Sequence, residues 1–175
     1  SHAKQLIENA CSSLGSGIFR LRLDLAADGQ LSTSTGVLEP LPESVKIFWA
    51  KDILANDVVM FSGNAVLRHK ISNRTLYDLA WQKANQLGGF DALFTNEQGF
   101  VTEGGRTSIF VKPNGGSEWL TPPVSAGLLP GVMRATLLAD PHFNAREANL
   151  TINDVSMADE IILTNALRGP IKAHF

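Results

Sequence analysis

The sequence is poor in charged residues and cysteine, and each shortage excludes a class of protein. Of its 175 residues, 18% are charged, and 15 Lys and Arg against 17 Asp and Glu leave a net charge of −2. Because this charge creates no field that would hold a polyanion, nucleic acid is not expected as a partner. Cys11 is the only cysteine, which excludes an internal disulfide and a Cys-based zinc site. A single cysteine suits a reducing compartment, so we expect a cytoplasmic protein.

Several other signals are also missing from the chain. No apolar run reaches the roughly 18 residues of a membrane span, and the N-terminus lacks the order of a secretion signal, so a membrane is not expected as a partner. His69, His142 and His174 lack metal-ligand spacing, and we predict no metal site. The sequence contains no Gly-x-Ser-x-Gly elbow, Walker loop or dinucleotide fingerprint, so several common enzyme classes are not indicated.

What is present predicts an α/β fold with mixed sheets. Apolar residues make up 44% of the chain, and a chain of this length can bury roughly 70% of its unfolded surface. The pattern of strand and helix signals changes near Asn64, which predicts a partial smaller N-terminal domain over 1–60 and a larger domain over 64–175. Periodicity and turn signals predict helices over 4–14, from 72 or 73 to 87, over 132–139 and from 151. They predict strands over 17–25, 30–35, 45–49, 58–61, 90–95, 100–102, 107–111, 119–121 and 160–164.

Lys70 and Glu103 are the first two candidates for chemistry. Lys70 lies between the apolar segment Ala65-Val66-Leu67 and the start of a predicted helix. Partial desolvation there would make its amine available for a Schiff base. The alternative is that it is a solvated surface residue, like most of the seven lysines. Glu103 ends a strand and is followed by two glycines that allow close approach to a bound group. The alternative for Glu103 is an exposed residue in a tight turn.

Two further segments could bind a ligand. In the segment 129–134, the amides of Val132 and Met133 begin a helix and could bind a phosphate, although an ordinary Pro-Gly turn is an equal alternative. In the segment 163–169, a buried strand ends in polar residues and a glycine. Ligands collect at such strand ends in α/β folds, but a surface turn would give the same pattern.

Taken in order, these segments resemble the class IV, or fold-type IV, aminotransferase family, which uses pyridoxal 5'-phosphate (PLP). This family includes branched-chain and D-amino-acid aminotransferases and aminodeoxychorismate lyase. The resemblance implies a two-domain fold of the D-amino acid aminotransferase type, in which residues 64–175 form the larger, cofactor-binding domain. It rests on five segments in the family's order: His69-Lys70-Ile71-Ser72-Asn73-Arg74, then Thr102-Glu103-Gly104-Gly105-Arg106-Thr107-Ser108-Ile109-Phe110 after Asn96-Glu97-Gln98-Gly99, then Thr121-Pro122-Pro123, then Ala126-Gly127-Leu128-Leu129-Pro130-Gly131-Val132-Met133-Arg134, and finally 158–169.

The resemblance implies a role for each candidate. Lys70 matches the catalytic lysine that holds PLP as a Schiff base and, once displaced, carries the proton between the substrate and the cofactor. Glu103 matches the carboxylate that keeps the pyridine nitrogen protonated. The remaining matches all lie around the phosphate: Gly131, Val132 and Met133 in the phosphate-binding turn, Arg106 and Ser108 beside the phosphate and the ring, and Asn165 on the loop that closes over the phosphate and substrate side.

The sequence departs from the family in two places. Ala166 stands where many relatives carry a Ser or Thr hydroxyl to the phosphate, although some lyases also have Asn-Ala-Leu here, which slightly favours that branch. The family also opens with a His-Leu-x-Arg-Leu segment whose arginine binds the phosphate, and none precedes Lys4. We therefore expect that a first part of the N-terminal domain is missing from the chain. The alternative is a protein that cannot bind the cofactor in the usual way.

The resemblance implies an enzyme that acts on an amino acid or an aminodeoxychorismate-type substrate, and a homodimer. The matched segments do not distinguish transamination from the lyase reaction, which gives 4-aminobenzoate for folate biosynthesis. The competing hypothesis is a non-catalytic fold-type IV remnant, such as the structural domain of a fusion protein. Retention of both Lys70 and Glu103 argues against the remnant, because neither has an evident packing use.

Overall fold

The structure, a computed structural model, describes residues 1–55 and 58–175. Its contacts divide the chain into two compact units, Ser1–Leu41 and Pro42–Phe175. The sequence places the domain border later, between residues 60 and 64. Strand β3 (Val45–Trp49) and strand β4 (Val59–Met60) belong to the sheet of the larger unit. The assignment of a cofactor-binding role to residues 64–175 stays a prediction.

The smaller unit consists of one helix and a β-hairpin. Helix α1 covers His2–Ser12, and strands β1 (Phe19–Leu25) and β2 (Leu31–Val37) pair antiparallel. The turn between them follows the Asp-Gly signal, because Gly29 adopts a φ of +85° and the amide of Gln30 donates to Asp28 Oδ1 at 3.0 Å. The local sequence therefore predicts this hairpin correctly.

The larger unit is built on a mixed sheet, as the sequence predicts. Nine of the described strands join in it: eight follow the order β4-β5-β3-β11-β10-β7-β8-β9, and β6 pairs antiparallel with β5 outside this order. β3 pairs parallel with β5 and with β11, whereas β10 pairs antiparallel with both β7 and β11. The remaining strands are β5 (Asp91–Asn96), β6 (Val101–Gly104), β7 (Ser108–Lys112), β8 (Trp119–Thr121), β9 (Ala145–Glu147), β10 (Glu160–Asn165) and β11 (Gly169–His174).

Four α-helices of this unit are described. Helix α5 shows a capping box in which Thr151 and Asp154 exchange side-chain and backbone hydrogen bonds, as expected at a helix start. No helix among the described residues is both long and apolar enough to cross a membrane. The helices are α2 (Ala50–Ile53), α3 (Thr75–Gln86), α4 (Val132–Ala139) and α5 (Ile152–Ser156), and 3₁₀ turns cover Ala65–Arg68 and Val124–Ala126.

Helix α3 packs on β5 through a face that the sequence only partly predicts. Ala80 and Ala84 are buried, as expected, and Tyr77 is buried beside them. Leu79 and Leu87 belong to the predicted apolar face but are exposed. The helix also begins later than predicted, after Arg74 and without a side-chain cap. These corrections matter because the buried tyrosine turns toward the candidate site.

Candidate functional site

One cavity of about 200 Å³ in the larger unit collects all the residues that the sequence singles out. They come from separate parts of the chain: the loop before α3, the end of β6 and the turn after it, the start of β7, the first turn of α4, and the end of β10. The fold therefore brings the predicted site residues to one place, while their individual roles stay predictions. The cavity-lining residues predicted from sequence are Lys70, Glu103, Arg106, Ser108, Gly131, Val132, Met133 and Asn165.

Glu103 is a buried carboxylate rather than the exposed turn residue of the alternative interpretation. Only 7% of its surface is exposed. Oε1 accepts a hydrogen bond from the Tyr77 hydroxyl at 2.7 Å, and Oε2 accepts from the amide of Leu129 at 3.2 Å. Burial raises the pKa of Glu103 to about 7, although these two hydrogen bonds and the charge of Arg74 act in the opposite direction. Among the described residues no cation forms an ion pair with it, so a cationic ligand group would favour its charged form.

A second buried carboxylate, Asp91, supports the turn that follows Glu103. Oδ2 accepts from the amide of Arg106 at 3.0 Å and from Thr107 Oγ1 at 2.8 Å, and Oδ1 accepts from the amide of Ala92 at 2.9 Å. Burial raises the pKa of Asp91, and these hydrogen bonds oppose the shift. A Cβ at Gly104 would lie 2.5 Å from Asp91 Oδ2, so the glycine is required by this close approach. In the sequence, Asp91 is only one residue of the predicted strand over 90–95, and no local signal indicates its hydrogen bonds to the turn.

Two arginines border the same part of the cavity and are held by α3. The Arg106 guanidinium lies 3.6 Å from the ring centroid of Trp81 and 3.7 Å from Asp78 Oδ1. Arg74, which the sequence analysis does not single out, donates to the carbonyl of Gly105 and lies over the Tyr77 ring. Aromatic faces and hydrogen bonds thus fix the positions of both cations at the cavity wall.

Lys70 lies in the loop between the 3₁₀ turn and α3, with its side chain exposed. It lines the cavity and forms no hydrogen bond or ion pair with the residues that the structure describes. The structure does not show the desolvation that the sequence suggested. The chain before it is anchored, because Glu97 accepts from the amide of Ser62 at 2.9 Å and from its hydroxyl at 2.5 Å. The Lys70 side chain is therefore open both to the cavity and to solvent.

The first turn of α4 forms another wall of the cavity. Gly131 is its N-cap and provides no side-chain hydrogen bond to the helix. The amides at the start of a helix have no intrahelical acceptor, and here Val132 and Met133 line the cavity. A Cβ at Gly131 would lie 3.2 Å from Ser108 Oγ, so a side chain there would narrow the space between Gly131 and Ser108. This arrangement is suited to an anion.

The end of β10 completes the wall. Asn165 Oδ1 accepts from the amides of Leu167 at 3.1 Å and Arg168 at 2.9 Å, which forms the turn into β11. Ala166 lines the cavity as well, and so does Thr164, which the sequence analysis did not select. Asn165 thus shapes the turn next to the cavity with its side-chain oxygen.

Comparisons with known proteins agree with this architecture. The family model for amino-transferase class IV matches residues 1–174. A Schizosaccharomyces pombe protein provisionally assigned as an aminodeoxychorismate lyase is 32% identical over 107 residues, covering 59% of this chain and 46% of that protein. A crystal structure from Mesorhizobium loti, provisionally assigned as an amino-acid aminotransferase, is 31% identical with a TM-score of 0.85. That match covers 98% of this chain and 79% of the other.

A more distant structure shows the fold together with a bound cofactor. A hypothetical aminotransferase from Mycobacterium tuberculosis, solved in a PLP-bound form, has a TM-score of 0.71 at 18% identity, covering 98% of this chain and 66% of that one. The chain spans less than half the length of the three curated relatives it matches. With a family model that matches nearly every residue and a cavity that gathers the expected side chains, the chain belongs to the class IV aminotransferase family.

Proposed function

We propose that the protein is a PLP-dependent enzyme in which Lys70 holds the cofactor. Its substrate would be an amino acid or an aminodeoxychorismate-type compound, and its reaction transamination or the lyase reaction. The observation that carries this proposal is the convergence of eight residues, selected from the order of five sequence segments, on one cavity. Lys70 and Glu103 both line it, so an amine and a buried carboxylate border the same space.

The residues present fit this cofactor at both of its charged ends. The uncapped start of α4 offers the amides of Val132 and Met133 to a phosphate, and Gly131 leaves room for it to approach. At the other end, Glu103 is buried without a cationic partner among the described residues, and a protonated ring nitrogen would supply one. When bound, PLP acts as an electron sink for the Cα of an amino substrate, which serves both transamination and the lyase reaction.

The protein's own side chains would bind the cofactor and the substrate and transfer the proton. Glu103, oriented by Tyr77, would accept a hydrogen bond from the ring nitrogen and keep the proton on that atom. Lys70 would attach the cofactor covalently and, when released, move a proton at the substrate Cα. Arg74 and Arg106 also line the cavity and would favour a substrate with a negatively charged group.

Transamination and the lyase reaction share the first proton transfer by Lys70, and the relatives include both assignments. We therefore propose two assays. One offers aminodeoxychorismate and measures 4-aminobenzoate, which would connect the protein to folate biosynthesis. The other offers branched-chain or D-amino acids with 2-oxoglutarate and measures glutamate. Lys70→Ala should abolish whichever activity is found, whereas Lys83→Ala, on the exposed side of α3, should not change it.

An inert fold-type IV domain is the competing function, and it makes a different prediction. Such a protein would keep its fold yet show neither product, and it would not attach PLP to Lys70. The homodimer implied by the resemblance is a further proposal, which the mass of the protein in solution, measured by light scattering, would test. Activity lost in Lys70→Ala would exclude the inert domain.

A further inference from the structure

A second, smaller cavity of the larger unit lies against Glu103. Its volume is about 40 Å³, and it shares Arg74, Glu103 and Leu129 as lining residues with the candidate cavity described above. A buried water molecule needs roughly 10–15 Å³ of such space and polar partners. The second cavity therefore has room for about two or three water molecules beside the carboxyl group.

The second cavity extends from the protein surface to a buried end. His69 and Ile71, on the loop before α3, line it and are exposed, whereas Tyr77 and Glu103 also line it and are 8% and 7% exposed. Lys70, which stands between His69 and Ile71 in the chain, lines the candidate cavity instead. The loop thus borders both cavities, and the second cavity gives Glu103 a separate connection to solvent.

The buried end of the second cavity offers hydrogen-bond partners to water. An ionised carboxylate can accept about four hydrogen bonds. Glu103 accepts one at each oxygen, from the Tyr77 hydroxyl and the amide of Leu129, and the described residues supply no further donor. Arg74 and Asn73, whose side chains can donate to water, line the same cavity. A water molecule beside Glu103 would therefore have both an acceptor and donors within the cavity.

Water at this position would act on the charge of Glu103. A hydrogen bond from water favours the charged carboxylate, as the positive charge of Arg74 does, and opposes the effects of burial and of the negative charge of Asp91. Besides Tyr77, the titratable and charged groups that line the two cavities or act on Glu103 are His69, Lys70, Arg74, Asp91, Arg106 and Arg134.

We propose that the second cavity binds water that donates hydrogen bonds to Glu103 and keeps this carboxylate solvated while the candidate cavity is occupied. A ligand in the candidate cavity displaces water from one side of the carboxyl group, and further burial would disfavour its charge. Water in the second cavity limits that effect from the other side. The inference goes beyond the proposed function, because it holds for any ligand that fills the candidate cavity.

Replacing Val66 with Phe tests the inference by filling the second cavity. Val66 lines this cavity and is 50% exposed, so a larger side chain can enter without displacing the buried core. Carbon-13 NMR of labelled glutamate carboxyls should show that Glu103 binds its proton about ten- to a hundredfold more tightly, the effect of losing one hydrogen bond to a charged group. Ile71→Phe, at another exposed position of the wall, should act in the same direction.

Two control variants separate the loss of water from other effects of an added ring. Leu79→Phe places the ring at an exposed position of α3 that lines neither cavity. Ala166→Phe places it in the candidate cavity. In the ligand-free protein, both controls should leave the proton affinity of Glu103 within about twofold of the wild type. An increase in either control as large as that in Val66→Phe would overturn the inference.

A high-resolution crystal structure of the 175-residue chain observes the water directly. The wild type should contain ordered water in the second cavity within about 3 Å of a Glu103 oxygen, and Val66→Phe should contain the ring there instead. A cavity without water, or equal titration of Glu103 in the wild type, Val66→Phe and Ile71→Phe, would overturn the inference. If the water is present but PLP does not attach to Lys70, the inference stands and the proposed function fails.

Discussion

The hydroxyl of Tyr77 donates a 2.7 Å hydrogen bond to Oε1 of Glu103, and this bond connects α3 to β6 inside the larger unit. Both side chains are buried. Burial, reinforced by the charge and hydrogen bond of Glu103, raises the pKa of Tyr77 above its ordinary value. The phenol therefore remains a hydrogen-bond donor at neutral pH. Burial raises the pKa of Glu103 to about 7, so this carboxyl titrates in the neutral range.

Replacing Tyr77 with Phe should raise the pKa of Glu103 further. The hydroxyl lowers that pKa because it stabilises the charged carboxylate, and phenylalanine keeps the ring but loses the donor. We also expect a loss of about 1–2 kcal/mol in the free energy of unfolding. Carbon-13 NMR of labelled glutamate carboxyls would follow the titration. An unchanged or lower pKa in Tyr77→Phe would contradict the assigned hydrogen bond.

The raised pKa of Glu103 predicts how stability changes with pH in the cofactor-free protein. The native carboxyl titrates at about 7 rather than 4.5, so between these values the folded state binds more protons than the unfolded state. The contribution of this group is thus fully present at low pH and declines as pH rises through the window, by roughly 3 kcal/mol in total. Asp91, whose pKa is also raised by burial, acts in the same direction.

Glu103→Gln isolates this contribution because glutamine does not titrate. Urea unfolding of both proteins at pH 5 and pH 8 should show the variant gaining roughly 2–3 kcal/mol relative to the wild type at the higher pH. Asp91 contributes in both proteins, so most of its contribution cancels in the comparison; the charge interaction between Asp91 and Glu103 is removed together with Glu103. If the free energies of unfolding of the wild type and Glu103→Gln changed equally between pH 5 and pH 8, Glu103 would titrate normally and would not be desolvated in the folded state.

Gly104 should tolerate no side chain. A Cβ there would lie 2.5 Å from both Asp91 Oδ2 and Thr107 Oγ1, and would disturb the bonds that hold the turn after Glu103. We expect Gly104→Ala to cost about 1–3 kcal/mol in unfolding free energy. Gly63→Ala is the control, because nothing lies within 4 Å of its added Cβ, and it should change stability by less than about 0.5 kcal/mol. Equal effects in denaturant unfolding would contradict the close packing around Asp91.

The sequence predicts most elements of the fold because their signals are local. The bounds of α4, β3 and β8 agree with the expected helix over 132–139 and strands over 45–49 and 119–121. Strands β9 and β11 were missed. β11 contains Pro170, which argues against a strand, and it is fixed by pairing with β10 and β3 rather than by its own pattern. Long-range strand pairing of this kind cannot be predicted from the residues of one short segment.

The residues of the candidate site are likewise predicted only in part. The order of motifs predicts the residues that meet at the cavity, from Lys70 to Asn165. It does not reveal Tyr77 or Asp91, because their hydrogen bonds depend on burial next to distant segments. Tyr77 has no neighbour in the sequence that indicates its hydrogen bond to Glu103, which lies 26 residues further along the chain.

The most direct test of the account is chemical attachment of PLP to Lys70. The protein should be incubated with PLP, reduced with borohydride, digested and analysed by mass spectrometry. We predict that the reduced cofactor is found on Lys70 and not on the other six lysines, that an absorbance band of the bound cofactor disappears on reduction, and that Lys70→Ala acquires no label. Label spread over several surface lysines, or unchanged labelling in Lys70→Ala, would contradict the account.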